Sequence, residues 1–346
     1  MIQAQMLHRI VFAVLAAGLL APALAQTPAA DPGAPLEEIV VTGEYPGPGM
    51  WKVTRPGDDS HVLWIIGDPP PLPKRMKWKS REVEAVAERS QGILRDATMA
   101  MEPDEKIGLF RGLSLLPSAM KARKNPDDAT LKDQVPPDLY ARWLVQKKRF
   151  LGHDSGVEDF RPIVAADKLR KAALEDLGLR DSGMVWEVVG KLAKRQNIPV
   201  TTPTIKFMFH TREIKDKLKE FQHESLPDTE CFARTLDLTE ALSDTATEAR
   251  RAQAWATADL ATLESLPPLP NPFVPCAMAL MSSTAAKELI PADIREQIYV
   301  SWTEAAVKAL STNTTTLAIA PLSKLTKEGG YLARLRERGY LIEPPK

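Results

Sequence analysis

Residues 62–76 read Val62-Leu63-Trp64-Ile65-Ile66-Gly67-Asp68-Pro69-Pro70-Pro71-Leu72-Pro73-Lys74-Arg75-Met76, and the fold follows from how this stretch is read. Val62–Ile66 is almost wholly apolar and is bounded by Gly67. A run this short, without polar alternation, reads as a strand buried on both faces. Such strands lie in sheets covered by helices, and sites form where the chain leaves their carboxyl ends. Here the exit is Gly67-Asp68-Pro69-Pro70. Proline fixes φ and supplies no amide donor, so Pro69–Pro73 reads as an extended loop. Beyond it Val83, Val86, Ala87, Ser90, Ile93 and Leu94 keep the spacing of one buried helical face, with Ser80 as the candidate N-cap.

Trp51–Val53 reads as a first strand, paired with 62–66 through the turn around Pro56-Gly57-Asp58-Asp59. Helices are expected over Ile107–Met120, over Pro137–Lys148, and from Pro162 with Ile163, Ala166, Leu169, Ala173 and Leu177 on one face. The stripe Met184, Val185, Val188, Val189 and Leu192 feeds a strand at Ile198–Thr202. Residues 229–264 read as a long helical pair over one sheet face. Prolines 267, 268, 270 and 272 break the chain before a helix from Phe273, and Pro291–Ala309 gives the last long helix. Leu317-Ala318-Ile319-Ala320 then repeats the pattern of a short apolar strand, with Pro321-Leu322-Ser323-Lys324-Leu325 as its exit. Glu328-Gly329-Gly330 and the run Tyr331 to Tyr340 close the domain.

Taken together, Trp51-Lys52-Val53, the strand 62–66, Gly67, Leu72-Pro73, Met76 and the closing Leu332-x-x-Leu335-Arg336-x-x-Gly339-Tyr340 resemble the TraB/GumN family, which includes the Tiki proteases and PrgY-type proteins. The resemblance implies an α/β fold, a central mixed sheet flanked by helices. It also implies a divalent metal (Mn, Co or Zn) held by two Gly-x-x-His histidines and a glutamate at the ends of neighbouring strands. This chain departs from that pattern. The first histidine falls on Pro70, the second on Lys324, the second motif's glycine on Pro321, and the glutamate at or next to Asp96. Proline offers no side-chain donor, and an ammonium repels a cation.

The vestigial site is therefore Gly67, Asp68, Pro70, Asp96 and Lys324, with no catalytic residue, metal ligand or cofactor assigned. Lys324 is expected to pair with Asp68 or Asp96, in one of two ways. Either the lysine binds an anionic ligand in a retained pocket, or a salt bridge fills a dead site; the second is the reading taken. The alternative is a metal-dependent hydrolase, metallopeptidase-like, with a rearranged site around Asp68 and Asp96. No histidine replaces the lost ligands. His61 starts the same strand six residues before Gly67, about 20 Å away at ~3.3 Å per residue. His210 and His223 show no metal-binding spacing, and His153-Asp154-Ser155, three adjacent residues, cannot hydrogen-bond in the order of a hydrolase triad.

Composition bounds the rest. Arg9, the apolar run Ile10–Leu20 and Ala23-Leu24-Ala25 read as a signal peptide over 1–25, cleaved near Ala25, which places the mature chain in the periplasm or outside the cell. Residues 26–50 read as a flexible Pro/Gly/Ala-rich tail, and 51–346 as the domain. Within the tail, Leu36-Glu37-Glu38-Ile39-Val40-Val41-Thr42-Gly43 resembles a TonB box; it is read as a lead-in or edge strand, with a docking peptide as the other reading. Without residues 1–25 the chain has 44 basic and 45 acidic residues, a balance that points to neither nucleic acid nor an anionic membrane. The partner expected is an envelope protein or a small ligand, with no transmembrane span and an oligomeric state left open. Cys231 and Cys276 either form a disulfide or stand as two buried thiols; the spacing leaves both open.

Overall fold

The computed structural model describes residues 47–69, 71–181 and 183–345. The leader, the octet 36–43 and Pro70 lie outside the described residues. Strands occur at β1 (Met50–Arg55), β2 (Asp58–Asp68), β3 (Leu72–Pro73), β4 (Gly92–Arg95), β5 (Thr98–Pro103), β6 (Leu179–Arg180), β7 (Val200–Thr201), β8 (Thr204–Phe209), β9 (Thr315–Pro321) and β10 (Leu341–Glu343).

The central sheet has the order β10-β1-β2-β9-β4-β7. β1 and β2 form an antiparallel hairpin, Trp51 opposite Ile65 and Val53 opposite Leu63. Its tight turn is Pro56-Gly57, with Gly57 at φ 76°, a value that favours glycine. β2 then pairs in parallel with β9, from Val62 opposite Thr315 to Asp68 opposite Pro321. β4 lies parallel to β9 on its other side. The two apolar runs near the ends of the sequence are thus neighbours at the centre of one sheet, and their carboxyl ends share an edge. The sheet is mixed and flanked by helices, as the sequence leads one to expect.

Alternation explains why both faces are covered. Ile66, Ile93, Leu317 and Ile319 point into one layer with Val83, Val86, Val185, Val189 and Trp255. Leu63, Ile65, Leu94, Ala318 and Ala320 point into the other with Trp302, Ala306, Leu310, Tyr331 and Leu335. Each fully buried Ile or Leu contributes roughly 1.5–3 kcal/mol relative to exposure, so the β2–β9–β4 core fixes the register.

Several expectations are corrected. The helix after the mouth, the carboxyl edge where β2, β9 and β4 end, spans Arg81–Arg89 and stops before Ile93 and Leu94, which belong to β4. Ser90 turns extended and its Oγ donates to the Val86 carbonyl, closing the helix. Ser80 occupies the N-cap position without capping a backbone amide; its hydroxyl donates to Glu84 instead. Leu72–Pro73 is not wholly loop, because it pairs with β6. The strand expected at Ile198–Thr202 shortens to β7, and the chain continues into β8, paired in parallel with β5 as a separate two-stranded sheet. Of the pair expected over the sheet, Thr245–Ala256 packs there, through Ala252, Trp255 and Ala256, with Leu263 of the next short helix beside them. Helix Thr229–Leu242 instead buries Phe232 and Leu236 against Leu131, Trp143 and Leu169 in a separate helical layer.

Candidate functional site

The parallel strands deliver three residues to one edge: Asp68 ends β2, Pro321 ends β9, and Asp96 follows β4. Immediately after Pro321 the chain makes one helical turn, Leu322–Leu325, which carries Lys324. The Lys324 ammonium donates to Asp96 Oδ2 at 2.6 Å. The Tyr331 hydroxyl donates to Asp96 Oδ1 at 2.7 Å. Both carboxylate oxygens of Asp96 are therefore engaged by protein donors.

Gly330 makes this arrangement reachable. A Cβ there would sit 2.4 Å from the Lys324 carbonyl oxygen, 2.7 Å from that of Lys327 and 3.0 Å from that of Leu325. Only glycine lets the backbone fold so tightly over the preceding turn and return Tyr331 to the mouth. The Tyr331 ring is buried and stacks on Trp302, with centroids 4.0 Å apart. Burial, then the Asp96 charge, push its phenol well above the ordinary range, so it stays a donor.

Asp68 is in a different state. Its Oδ2 accepts a long hydrogen bond, 3.4 Å, from the Gly183 amide. Its Oδ1 is buried with no hydrogen-bond partner among the described residues. Burial raises its pKa first and the Asp96 charge adds to this, against the Gly183 amide, Arg95 and Arg180. The strand end itself is held by Trp255, whose Nε1 donates to the Gly67 carbonyl at 3.1 Å.

A divalent cation does not fit this donor set. Asp96 has no free oxygen, the Lys324 ammonium stands beside it, and Asp68 is biased toward its neutral form. Among the described residues no group of three His, Cys, Asp or Glu side chains could hold a metal ion. His61 lies at the far end of β2 against Asp58, at 2.9 Å, and His210 pairs with Asp104 at 3.0 Å. The basic run Lys74-Arg75-Met76-Lys77-Trp78-Lys79 is structural in part: Met76 is buried, Lys74 pairs with Glu175, and Trp78 meets the Trp255 ring edge-on at 5.5 Å.

A cleft of about 1090 Å³ opens beside the mouth, its lining including Pro71 and Ser323. Its walls are mainly apolar: Met99 and Met101 of β5, Ile163, Leu238, and Phe273, Leu280 and Met281 of helix Phe273–Met281. Arg170, also in the lining, is neutralised by Asp167 and Asp181. Arg123, in the lining too, makes no ion pair among the described residues and lies over the Phe160 ring at 5.6 Å. Cys231 and Cys276 are joined in a disulfide, Cα atoms 4.5 Å apart. It ties the Phe273–Met281 wall to helix Thr229–Leu242, which supplies Thr235 and Leu238 to the lining. The cleft is not legible in the sequence, because its residues come from segments scattered between Pro71 and Ser323 and share no motif. The available signal was the run of apolar residues from Phe273 to Met281, directly after prolines 270 and 272.

A family model described as the TraB/PrgY/gumN family matches residues 49–344. No curated protein and no solved structure gives a significant match.

Proposed function

The chain belongs to the TraB/PrgY/gumN family, and we propose that within it this protein is a catalytically degenerate member that binds a ligand rather than turning one over. The observation that carries the reading is the engaged Asp96. A lysine and a tyrosine occupy both of its oxygens where the family resemblance calls for a metal-bound carboxylate. The ligand is a predominantly apolar molecule held in the cleft beside the mouth, with Arg123 offering its charge to an anionic group. The location that goes with this reading is the periplasm or the cell exterior, and it rests on the leader-like pattern Ile10–Leu20 and Ala23-Leu24-Ala25. An envelope protein docking through residues 36–43 is a compatible partner.

The second reading is a metal-dependent hydrolase around Asp68 and Asp96. What favours it is the orphaned Asp68 Oδ1, a buried acceptor without a donor. One pair of measurements separates the two. The purified protein, titrated with the apolar fluorophore 1-N-phenylnaphthylamine, is expected to bind it saturably. After incubation with Mn, Co or Zn and dialysis, it is expected to retain far less than one equivalent. No saturable probe binding would end the ligand reading. Stoichiometric metal that is lost in Asp68→Ala would establish the hydrolase in its place.

A further inference from the structure

Helix Leu109–Lys121 is packed on one side and apolar on the other. Its inner side faces helix Ile214–His223 and is pinned by two polar contacts. Gln222 Nε2 donates to the Ser118 carbonyl at 3.1 Å, and the buried Arg161 donates from Nε to the Ala122 carbonyl at 3.0 Å. Arg161 also donates to the Glu224 carbonyl at 2.6 Å, locking the two helix ends together. The helix is thus held in place by its inner side, and what faces outward is fixed by the fold.

Outward it presents Leu109, Phe110, Leu113, Leu116 and Met120, exposed by 75, 87, 52, 53 and 54%. The i, i+4, i+7, i+11 spacing of 109, 113, 116 and 120 makes one continuous stripe, about 17 Å long at ~1.5 Å per residue. Single exposed apolar side chains need no explanation, but a contiguous stripe of this kind marks an interaction site.

Charge identifies the partner. From Lys106 to Lys124 the sequence has five basic residues and no acidic one, within a chain of balanced charge. Lys106 precedes the helix and Lys121 ends it. The acids just before it are already engaged, Asp104 by His210 and the Thr211 amide and Glu105 by Arg212 at 3.6 Å; beyond Lys124, Asp127 faces His223 at 3.6 Å. Lys124 is spent on Asp159 at 3.1 Å. An exposed apolar stripe bracketed by bases is the pattern of a helix that lies in a membrane interface, its apolar side among acyl chains and its bases at anionic headgroups. We propose that helix Leu109–Lys121 binds this protein to the surface of a bilayer containing anionic phospholipid. No helix among the described residues is long and apolar enough to cross a membrane, so the contact is at the surface. Arg123, just beyond the helix, lines the cleft, which brings the cleft to the lipid boundary. The inference rests on the helix alone and stands or falls apart from the ligand reading.

The test is vesicle flotation of the purified protein. With equimolar phosphatidylglycerol and phosphatidylcholine it is expected to float; with phosphatidylcholine alone it is expected to stay at the bottom. Raising NaCl from 50 mM to 500 mM is expected to cut the bound fraction about ten-fold, as screening weakens the headgroup attraction. Phe110→Glu with Leu113→Glu changes two exposed side chains and is expected to abolish flotation, with circular dichroism, melting and probe binding in the cleft unchanged. Absence of flotation with the anionic vesicles overturns the proposal. So does flotation that survives the double variant. A lipid-free dimer that the double variant dissolves also overturns it, by making the stripe an interface between two copies.

Discussion

Lys324 Nζ lies 2.6 Å from Asp96 Oδ2, across the carboxyl edge of two neighbouring parallel strands. Both side chains are about three-quarters shielded, with relative exposures of 25 and 27%. The pair is neither a surface ion pair nor a fully buried one. Removing one partner strands the other charge in a partly dry mouth, where among the described residues the Tyr331 hydroxyl is left as donor to Asp96. Lys324→Met is therefore expected to cost about 1–2 kcal/mol, between the exposed and buried regimes. Adding Asp96→Asn should recover part of that loss, because the stranded charge is then gone. A urea-unfolding double-mutant cycle reads the coupling. Additive single effects would mean that the ion pair contributes nothing to holding the mouth.

Asp68 gives the opposite sign. Its folded-state pKa is raised, chiefly by burial, so the folded protein holds that proton more tightly than the unfolded chain. Stability from this group is fully present below the ordinary carboxylate value near 4 and is lost as pH rises through the raised folded value. At neutral pH the ionised form is a burden. Asp68→Asn is expected to raise the melting temperature at pH 7 and to leave it unchanged near pH 3. Circular-dichroism melts of both proteins across that range check it. A variant destabilised at pH 7 would show that the Asp68 charge is wanted there.

The mouth was legible in sequence wherever a local pattern carried it. Two short apolar strands, each followed by a proline exit, fixed β2 and β9 as core strands. Placing Lys324 near Asp68 or Asp96 then needed only the assumption that β2, β9 and β4 end on the same edge; the choice of Asp96 comes from the fold. Tyr331 was not legible as a site residue. It reads as the first apolar position of a helix, and its role depends on the close turn at Gly330, where three carbonyl oxygens crowd the missing Cβ. β5 and β8 were missed for a related reason. Thr98–Pro103 and Thr204–Phe209 are short, half-exposed and 106 residues apart, and each is a strand only because the other pairs with it. Ile93 and Leu94 continued the helical spacing of Val83 and Val86 by coincidence. The parallel pairing with β9 outweighs that periodicity, since it buries both side chains on opposite faces of the sheet.

The Cys231–Cys276 bridge closes a loop with a sequence separation of 45 residues. By chain entropy alone such a crosslink stabilises by up to about 4 kcal/mol, and measured effects usually fall below that ceiling. Cys276→Ser with Cys231→Ser is expected to lower the urea midpoint, equivalent to about 2–4 kcal/mol, with the secondary structure retained. Because the bridge ties together two walls of the cleft, the same variant should bind 1-N-phenylnaphthylamine more weakly. Unchanged stability in the double variant would mean that the thiols are not paired in the folded protein.

The cleft itself can be filled from one of its walls. Ala277 faces it from helix Phe273–Met281, one residue from the disulfide and between Phe273 and Leu280 on the lining. A tryptophan there points a large ring into open space rather than into packed core, so it avoids the strain that overpacking brings. Ala277→Trp is expected to weaken 1-N-phenylnaphthylamine binding at least ten-fold, about 1.4 kcal/mol, while the melting temperature moves little. Met278 is the matched control: it is its neighbour on the same helix, 53% exposed and not part of the lining. Met278→Gln should leave both binding and melting alone. If Ala277→Trp binds the probe as tightly as the parent protein, the apolar ligand is held elsewhere. If Met278→Gln weakens it equally, the helix matters through its packing and not as a wall of the site.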